Sequence, residues 1–540
     1  MTALVARVMP HLVVAPVLIP MLTAGVMLLL AEERRPLKLV LGMISGTLGV
    51  AVSIAVFAWV HVHGPVAYLP GNWPSPFGIA LAVDRFSAGM VLLAWVLGLA
   101  AIVFSAARWH RAGVHFPALF QLQLMGLSGA FLTADVFNLF VFFEIVLAAS
   151  YGLLLHGSGA SRVRASVHYV AMNLAASSLF LIGVSTIYGV TGTLNMAELA
   201  ARLSGAAAAN RHLIDAGASV LAVAFLIKAA AWPLNFWLVP AYSAATPPVA
   251  AVFALLTEVG VYALVRLWTL LFAGGPLAGF GANALLTFGL VTAGLAGFGT
   301  LASSRLTAQL SWGVIVSAGT LLAALGLGDE AALGSALFYL ITSVLGTGAF
   351  FLLADLIERW KTGATVVDQA PFLSPTLEPD EVNLDDEGHP LVGRPLNAST
   401  ALLALAFLAC ALLASGLPPL PTFLGKLGMI SAALDSNALG ARSWMFVGVV
   451  LACGQLTLIA LTRTGIRTFW ANGQHEPRPV RAAEVVSVAT LLVLCAAMTV
   501  AAGPVMDLAR ATARSLHDPA QYVEVVLGAH VHAPARKDPP

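Results

Sequence analysis

Residues 217–242 read GASVLAVAFLIKAAAWPLNFWLVPAY. The stretch is long enough to cross a bilayer, which takes about 20 apolar residues in a helix. It nevertheless carries a lysine, Lys228, and then a proline, Pro233. A charge at bilayer depth is costly and marks a functional position by default. Proline removes a backbone donor and interrupts the helix. In lipid the freed carbonyls need protein or water around them, so the break implies a hydrated interior.

The pattern occurs twice. The long apolar stretch 399–434 contains Gly416-Leu417-Pro418-Pro419-Leu420-Pro421, with Lys426 shortly after. Two proline-interrupted spans, each with a lysine, in matching places of two halves are the pattern of an inverted-repeat transporter. Working outward, apolar runs of spanning length recur at 11–30, 40–61, 83–105, 115–133, 136–155, 166–190, 217–242, 248–274, 284–303, 306–327, 331–357, 399–434, 443–465 and 483–503. The fold expected is an all-α polytopic membrane protein with about 14 transmembrane helices. The two broken spans stand five helices apart, so two inverted five-helix repeats follow, each with a discontinuous helix. The expected divisions are 1–114 (spans 1–3), 115–274 (first repeat), 284–465 (second repeat, with an inner loop at 358–398) and 466–540 (last span and polar tail).

Composition agrees. Of 540 residues, 59% are hydrophobic and 10% charged, against roughly 25% charged in soluble domains. The net charge of +1 argues against nucleic-acid partners. Cys410, Cys453 and Cys495 are far apart in apolar stretches and read as buried filler. The first apolar run is followed by Glu33-Arg34-Arg35 with no small-residue cleavage site, so it is expected to stay as a span. Lys and Arg gather on alternate loops, among them Arg34, Arg35, Lys38, Arg108, Arg162, Arg305 and Arg359. That bias expects a multi-pass protein of a cytoplasmic membrane with both termini on the outer face.

The charged residues inside spans carry the chemistry. Glu144 lies in the fifth run, Lys228 in the seventh, Glu258 in the eighth and Lys426 in the twelfth. Burial disfavours an ammonium and a nearby carboxylate favours it, so a buried lysine whose acid partner moves takes up or releases a proton. Glu144 is the natural partner of Lys228. Asn235, Thr257, Ser311, Ser317, Thr342, Ser343 and Thr347 are candidates to hold water along the path, although Ser and Thr also serve helix packing. Arg266 is read as a snorkelling or pairing residue. An inert set of ion pairs holding helices together is the competing reading of the same charges.

Other polar features read plainly. The acidic cluster Glu378, Asp380, Glu381, Asp385, Asp386 and Glu387 is read as a solvated inner loop, with docking of a partner subunit as the alternative. The tail from about 504 is polar and expected to start with a surface helix; His530 and His532 fall in a flexible segment. There is no HExxH, GxSxG or dinucleotide fingerprint, and Gly425-Lys426 lacks the rest of a phosphate loop. No cofactor or metal site is expected, and no enzyme.

The same residues carry a resemblance. Lys228 to Arg266, KAAAWPLNFWLVPAYSAATPPVAAVFALLTEVGVYALVR, and Ser415 to Lys426, SGLPPLPTFLGK, resemble the antiporter-like subunits shared by respiratory complex I and the multisubunit Mrp (Pha, Mnh) cation/proton antiporters. The opening HLVVAPVLIPMLTAGVMLLL and the run Gly78 to Asp84 look similar to D-type subunits of the antiporters, and the run Phe350 to Asp355 with the long loop after it to the Pha branch. The resemblance implies that Glu144 tunes Lys228, that Lys228 carries protons in the first half, and that Lys426 is its counterpart in the second. It implies partners too: A-type, C-type and small membrane subunits, with protons and Na⁺ or K⁺ as the transported ions and the proton-motive force as the drive. Family members usually have lysine where this chain has Glu258, and often histidine near Asn235 and Thr342. A glutamate there is expected either to pair with Lys228 or Lys426 and bridge them, or to alter coupling. The rival reading is a proton-pumping membrane subunit of a complex I-like NADH:quinone oxidoreductase or membrane hydrogenase.

Overall fold

Long apolar runs separated by short polar loops build a helical bundle in the computed structural model, which describes residues 9–109, 115–156, 159–272, 274, 277–365, 398–435, 440–469 and 480–529. The acidic cluster Glu378 to Glu387, His530 and His532 lie outside these residues.

The N-terminal part holds α1 (Ala15–Leu29), α2 (Arg35–His63), a two-stranded antiparallel ribbon of β1 (Val66–Tyr68) and β2 (Leu81–Val83), and α3 (Arg85–Ala107). Then come α4 (Phe116–Leu132), α5 (Val136–Leu154), α6 (Ala160–Thr191), α7 (Met196–Lys228), the short α8 (Leu238–Ala244) and α9 (Pro247–Phe272). The next set is α10 (Ala282–Ala302), α11 (Leu306–Leu327), α12 (Glu330–Thr365), α13 (Ala398–Ser415), α14 (Pro421–Asp435) and α15 (Ala441–Phe469). The chain closes with α16 (Ala482–Val500), α17 (Ala502–His517) and α18 (Ala520–Leu527). Both sets run in one order: two helices, a long helix, an interrupted helix, a last helix.

Among the described residues, 12 helices are long and apolar enough to cross a membrane, and two shorter apolar ones, α1 and α4, fill the remaining expected positions. The run at 306–327, which follows its neighbour closely, is a helix of its own, α11. The tail begins with a helix, α17, which buries Ala509, Thr512, Ala513 and Leu516.

Local chemistry sets the helix ends. Proline stands in the first turn of α1, α2 and α4, where its missing N–H costs nothing. Asp84, Asp135 and Asn195 cap α3, α5 and α7 with side-chain oxygens on first-turn amides, each worth about 1 kcal/mol. Glycine permits close helix approach. A Cβ on Gly289 of α10 would lie 2.3 Å from the Ala323 amide of α11, and one on Gly326 of α11 would lie 2.2 Å from that of Leu286.

The layering follows from burial. The apolar window of α9 is buried throughout, and those of α12, α11 and α3 largely so. Outer helices present large apolar side chains outward, such as Leu22, Ile44, Leu174, Leu405, Leu451 and Val493. In a bilayer such faces meet lipid or neighbouring apolar helices. The central position therefore belongs to α9, which carries Glu258.

Candidate ion-translocation site

The first break falls directly after Lys228, the last residue of α7. The chain turns through residues 229–237, with Pro233 and the buried Asn235, before α8 resumes. The amide of Trp232 donates to Thr292 Oγ1 of α10 at 2.9 Å, which ties the break to the following set of helices. Gly260 of α9 lies against it: a Cβ there would be 2.8 Å from the Ala229 amide. Lys228 is buried, and its Nζ has no hydrogen-bond partner among the described residues. It lies 5.0 Å from the centre of the Phe143 ring, a cation–π distance. The next residue, Glu144, is half-buried on α5, and its carboxylate accepts a bond from Ser177 of α6. Glu144 thus stands beside the ring that Lys228 faces, and no hydrogen bond joins the two among the described residues.

In the second break, α13 ends at Ser415, and Gly416 to Leu420, with Pro418 and Pro419, lead to Pro421 and α14. Here the lysine lies inside the second piece. Lys426 Nζ donates to the Ser415 carbonyl at 3.0 Å, and Thr422 Oγ1 donates to that of Leu413 at 2.7 Å. The Ser415 carbonyl at the interruption is therefore satisfied by the site's own lysine, while that of Leu413 also accepts from the Gly416 amide at 3.2 Å. Gly416 has φ +72°, and a Cβ on it would lie 2.7 Å from Lys426 Cδ and 2.8 Å from Nζ. Gly416→Ala is expected to push the ammonium off Ser415 and to lower exchange by about tenfold or more, the scale of a small misplacement. Exchange rate per assembled complex checks this.

Glu258 is 1% exposed, and its Oε2 has no hydrogen-bond partner among the described residues. Its side-chain neighbour is Ser317 of α11. Ser317 Oγ accepts from Ser343 Oγ of α12 at 3.0 Å. Tyr339, one turn back on α12, faces both serines, and Lys426 Nζ lies 5.8 Å from its ring centre. Glu258, Ser317, Ser343, Tyr339 and Lys426 therefore form one polar string. A cavity of about 30 Å³ adjoins it, lined by Ser343, Thr347, Tyr339, Gln309, Thr422 and Thr457. That is room for a water or two.

Glu258 makes no ion pair with either lysine among the described residues; Ser317, Ser343 and Tyr339 lie between it and Lys426, which meets the face of the Tyr339 ring. Thr257 bonds the Tyr242 hydroxyl at 2.7 Å, and Ser311 meets Ser243 at 3.2 Å. Thr342 turns back on the Phe338 and Tyr339 carbonyls of its own helix, the packing role open to threonine.

Some groups lie beyond the reach of sequence reading. Of the two readings of Arg266, snorkelling or pairing, the structure shows pairing, though with a partner the sequence did not name: it forks onto Asp84, 182 residues away, with bonds of 2.6 and 2.7 Å. Its only signal was an Asp placed to cap a span. Tyr339 is one of several tyrosines inside the helices, with Tyr151, Tyr169, Tyr188, Tyr242 and Tyr262, and nothing in the sequence set it apart. Ser177 carried no signal either.

The transmembrane model described as NADH:quinone oxidoreductase/Mrp antiporter matches residues 133–378. The protein of Rhizobium meliloti (strain 1021) named as the D component of a probable K(+)/H(+) antiporter is 47% identical, over 96% of this chain and 98% of its own. The D component of the Na(+)/H(+) antiporter of Alkalihalophilus pseudofirmus is 32% identical, over 96% of this chain and 100% of its own. A chain in the structure of the Mrp complex from Dietzia sp. DQ12-45-1b superposes with a TM-score of 0.81 at 26% identity, covering 96% of this chain and 100% of that one. Such likeness over nearly the full length, in a bundle with two lysine-bearing breaks, has one meaning: the chain belongs to the D-type subunits of the Mrp-type cation/proton antiporters and is a membrane transporter component, not an enzyme.

Proposed function

We propose that this protein carries protons along Glu144, Lys228, Glu258 and Lys426, with water completing the gaps, inside a complex that exchanges cytoplasmic Na⁺ or K⁺ for external protons. The observation that carries this reading is the Lys228 ammonium, buried at a helix break with no bonded partner among the described residues. An ammonium held only for structure would be paired, because burying an uncompensated charge is costly. One that must gain and lose a proton is better served by an acid at a distance, such as Glu144. The orphaned Glu258 Oε2 and the adjoining cavity argue for water between fixed groups.

On this reading 115–274 and 284–465 are the two repeats, each offering one lysine. The complex sits in the bacterial inner membrane with both termini of this chain outside, next to A-type, C-type and small subunits. The proton-motive force drives exchange, and no nucleotide is needed.

The test is dye-monitored proton exchange on adding Na⁺, Li⁺ or K⁺ to everted vesicles of a host lacking its own antiporters. The complete operon is compared with one lacking this gene. Exchange is expected only with the complete operon. Undiminished exchange without the gene would refute the proposal, as would co-purification of the chain with flavin or iron–sulfur polypeptides.

A further inference from the structure

The helix that carries Glu258 is anchored at a second point. Glu258, Tyr262 and Arg266 follow at intervals of four on α9, so they form one stripe, and Arg266 lies about 12 Å along the axis from Glu258. All three are buried. The Arg266 guanidinium makes two parallel bonds to Asp84, the arrangement that fixes orientation most strongly. Asp84 is itself fixed, because its Oδ1 caps α3 by accepting from the Ser87 amide at 2.9 Å. The Tyr262 hydroxyl donates to the Phe131 carbonyl at the end of α4, at 2.8 Å.

The last wall comes from the C-terminal tail. Tyr522 of α18 is 7% exposed, with its ring centre 5.2 Å from the Arg266 guanidinium carbon, which also meets the rings of Phe86 and Tyr262. The tail also touches the second half. A Cβ on Gly334 of α12 would lie 2.9 Å from Arg510 Cα of α17, and one on Gly428 of α14 would lie 3.7 Å from Met506. The two tail helices thus contact α12 and α14, which hold Tyr339 and Lys426, and pin α9, which holds Glu258.

We propose that the Asp84–Arg266 pair, closed over by Tyr522, is a clamp that positions Glu258 against Ser317; Tyr522 is a positioning residue for the central carboxylate. The proposal rests on the reading that Glu258 belongs to the path. Apolar packing on all sides of α9 is non-directional, and the fork on Asp84 adds the directional contact that fixes how the helix is turned. Loosening the anchor at Arg266 turns or shifts the helix and with it the carboxylate.

The experiment uses the complete complex with Tyr522→Ala and Tyr522→Phe. Dicyclohexylcarbodiimide labelling of Glu258 is read by mass spectrometry, with Glu144 as internal control and cation-driven exchange measured in parallel. Tyr522→Ala is expected to change Glu258 labelling by about threefold or more, a typical size for effects relayed through a packed helix. Glu144 labelling stays constant, and Tyr522→Phe, which keeps the ring, restores the wild-type value. If Tyr522→Ala does not assemble, Arg266→Lys, which keeps the charge and loses the fork, takes its place. Unchanged Glu258 labelling overturns the clamp, and so does an equal change at Glu144. Altered labelling with wild-type exchange upholds the clamp and instead removes Glu258 from the path.

Discussion

Lys228→Ala is expected to leave the complex assembled and to cut cation-driven proton exchange to about one per cent of wild type or less, the loss typical of deleting a group that transfers a proton. The side chain is buried at the end of α7 with nothing among the described residues bonded to its ammonium. Its removal therefore breaks no hydrogen bond, and the Phe143 contact is a modest loss on the stability side. Glu144 keeps its bond to Ser177. Structure and transport thus separate at this residue. Exchange assays at matched complex abundance decide the matter, and wild-type exchange in this variant would remove Lys228 from the path.

Glu258→Gln is expected to impair exchange about as much as loss of one lysine. The amide has nearly the same shape and still meets Ser317, so α9 keeps its packing. It no longer binds and releases a proton, and the string to Tyr339 and Lys426 loses its ionisable end. Undiminished exchange would mean that protons bypass Glu258. Vesicle assays on the complete operon measure it directly.

How far the sequence led depended on distance along the chain. A lysine inside an apolar run is visible at once, because the surrounding 20 or so residues set its depth. Lys228, Lys426, Glu144 and Glu258 were found that way, as were the helical segments. The prolines marked both breaks, though not that Lys228 would end α7 while Lys426 would sit within α14. Pairings across the bundle were out of reach. Arg266 and Asp84 meet across a separation of 182 positions. Arg108 and Arg359 read only as charges of inner loops, whereas they engage Asp355 and the fully buried Glu484. Tyr339 could not be told from packing until Ser317, Ser343 and Lys426 were seen around it. Periodicity reports which face is apolar, not which residue of another helix it will meet.

The claim that the two buried lysines carry protons, and do not merely hold charge, is tested most directly by Lys228→Arg and Lys426→Arg in the complete complex. Arginine keeps the positive charge and does not release its proton in a protein. With complex abundance matched, proton exchange driven by Na⁺ or K⁺ in everted vesicles is predicted to be lost in both variants. Exchange at the wild-type rate in either one would show that its lysine serves as a fixed charge and would contradict the account.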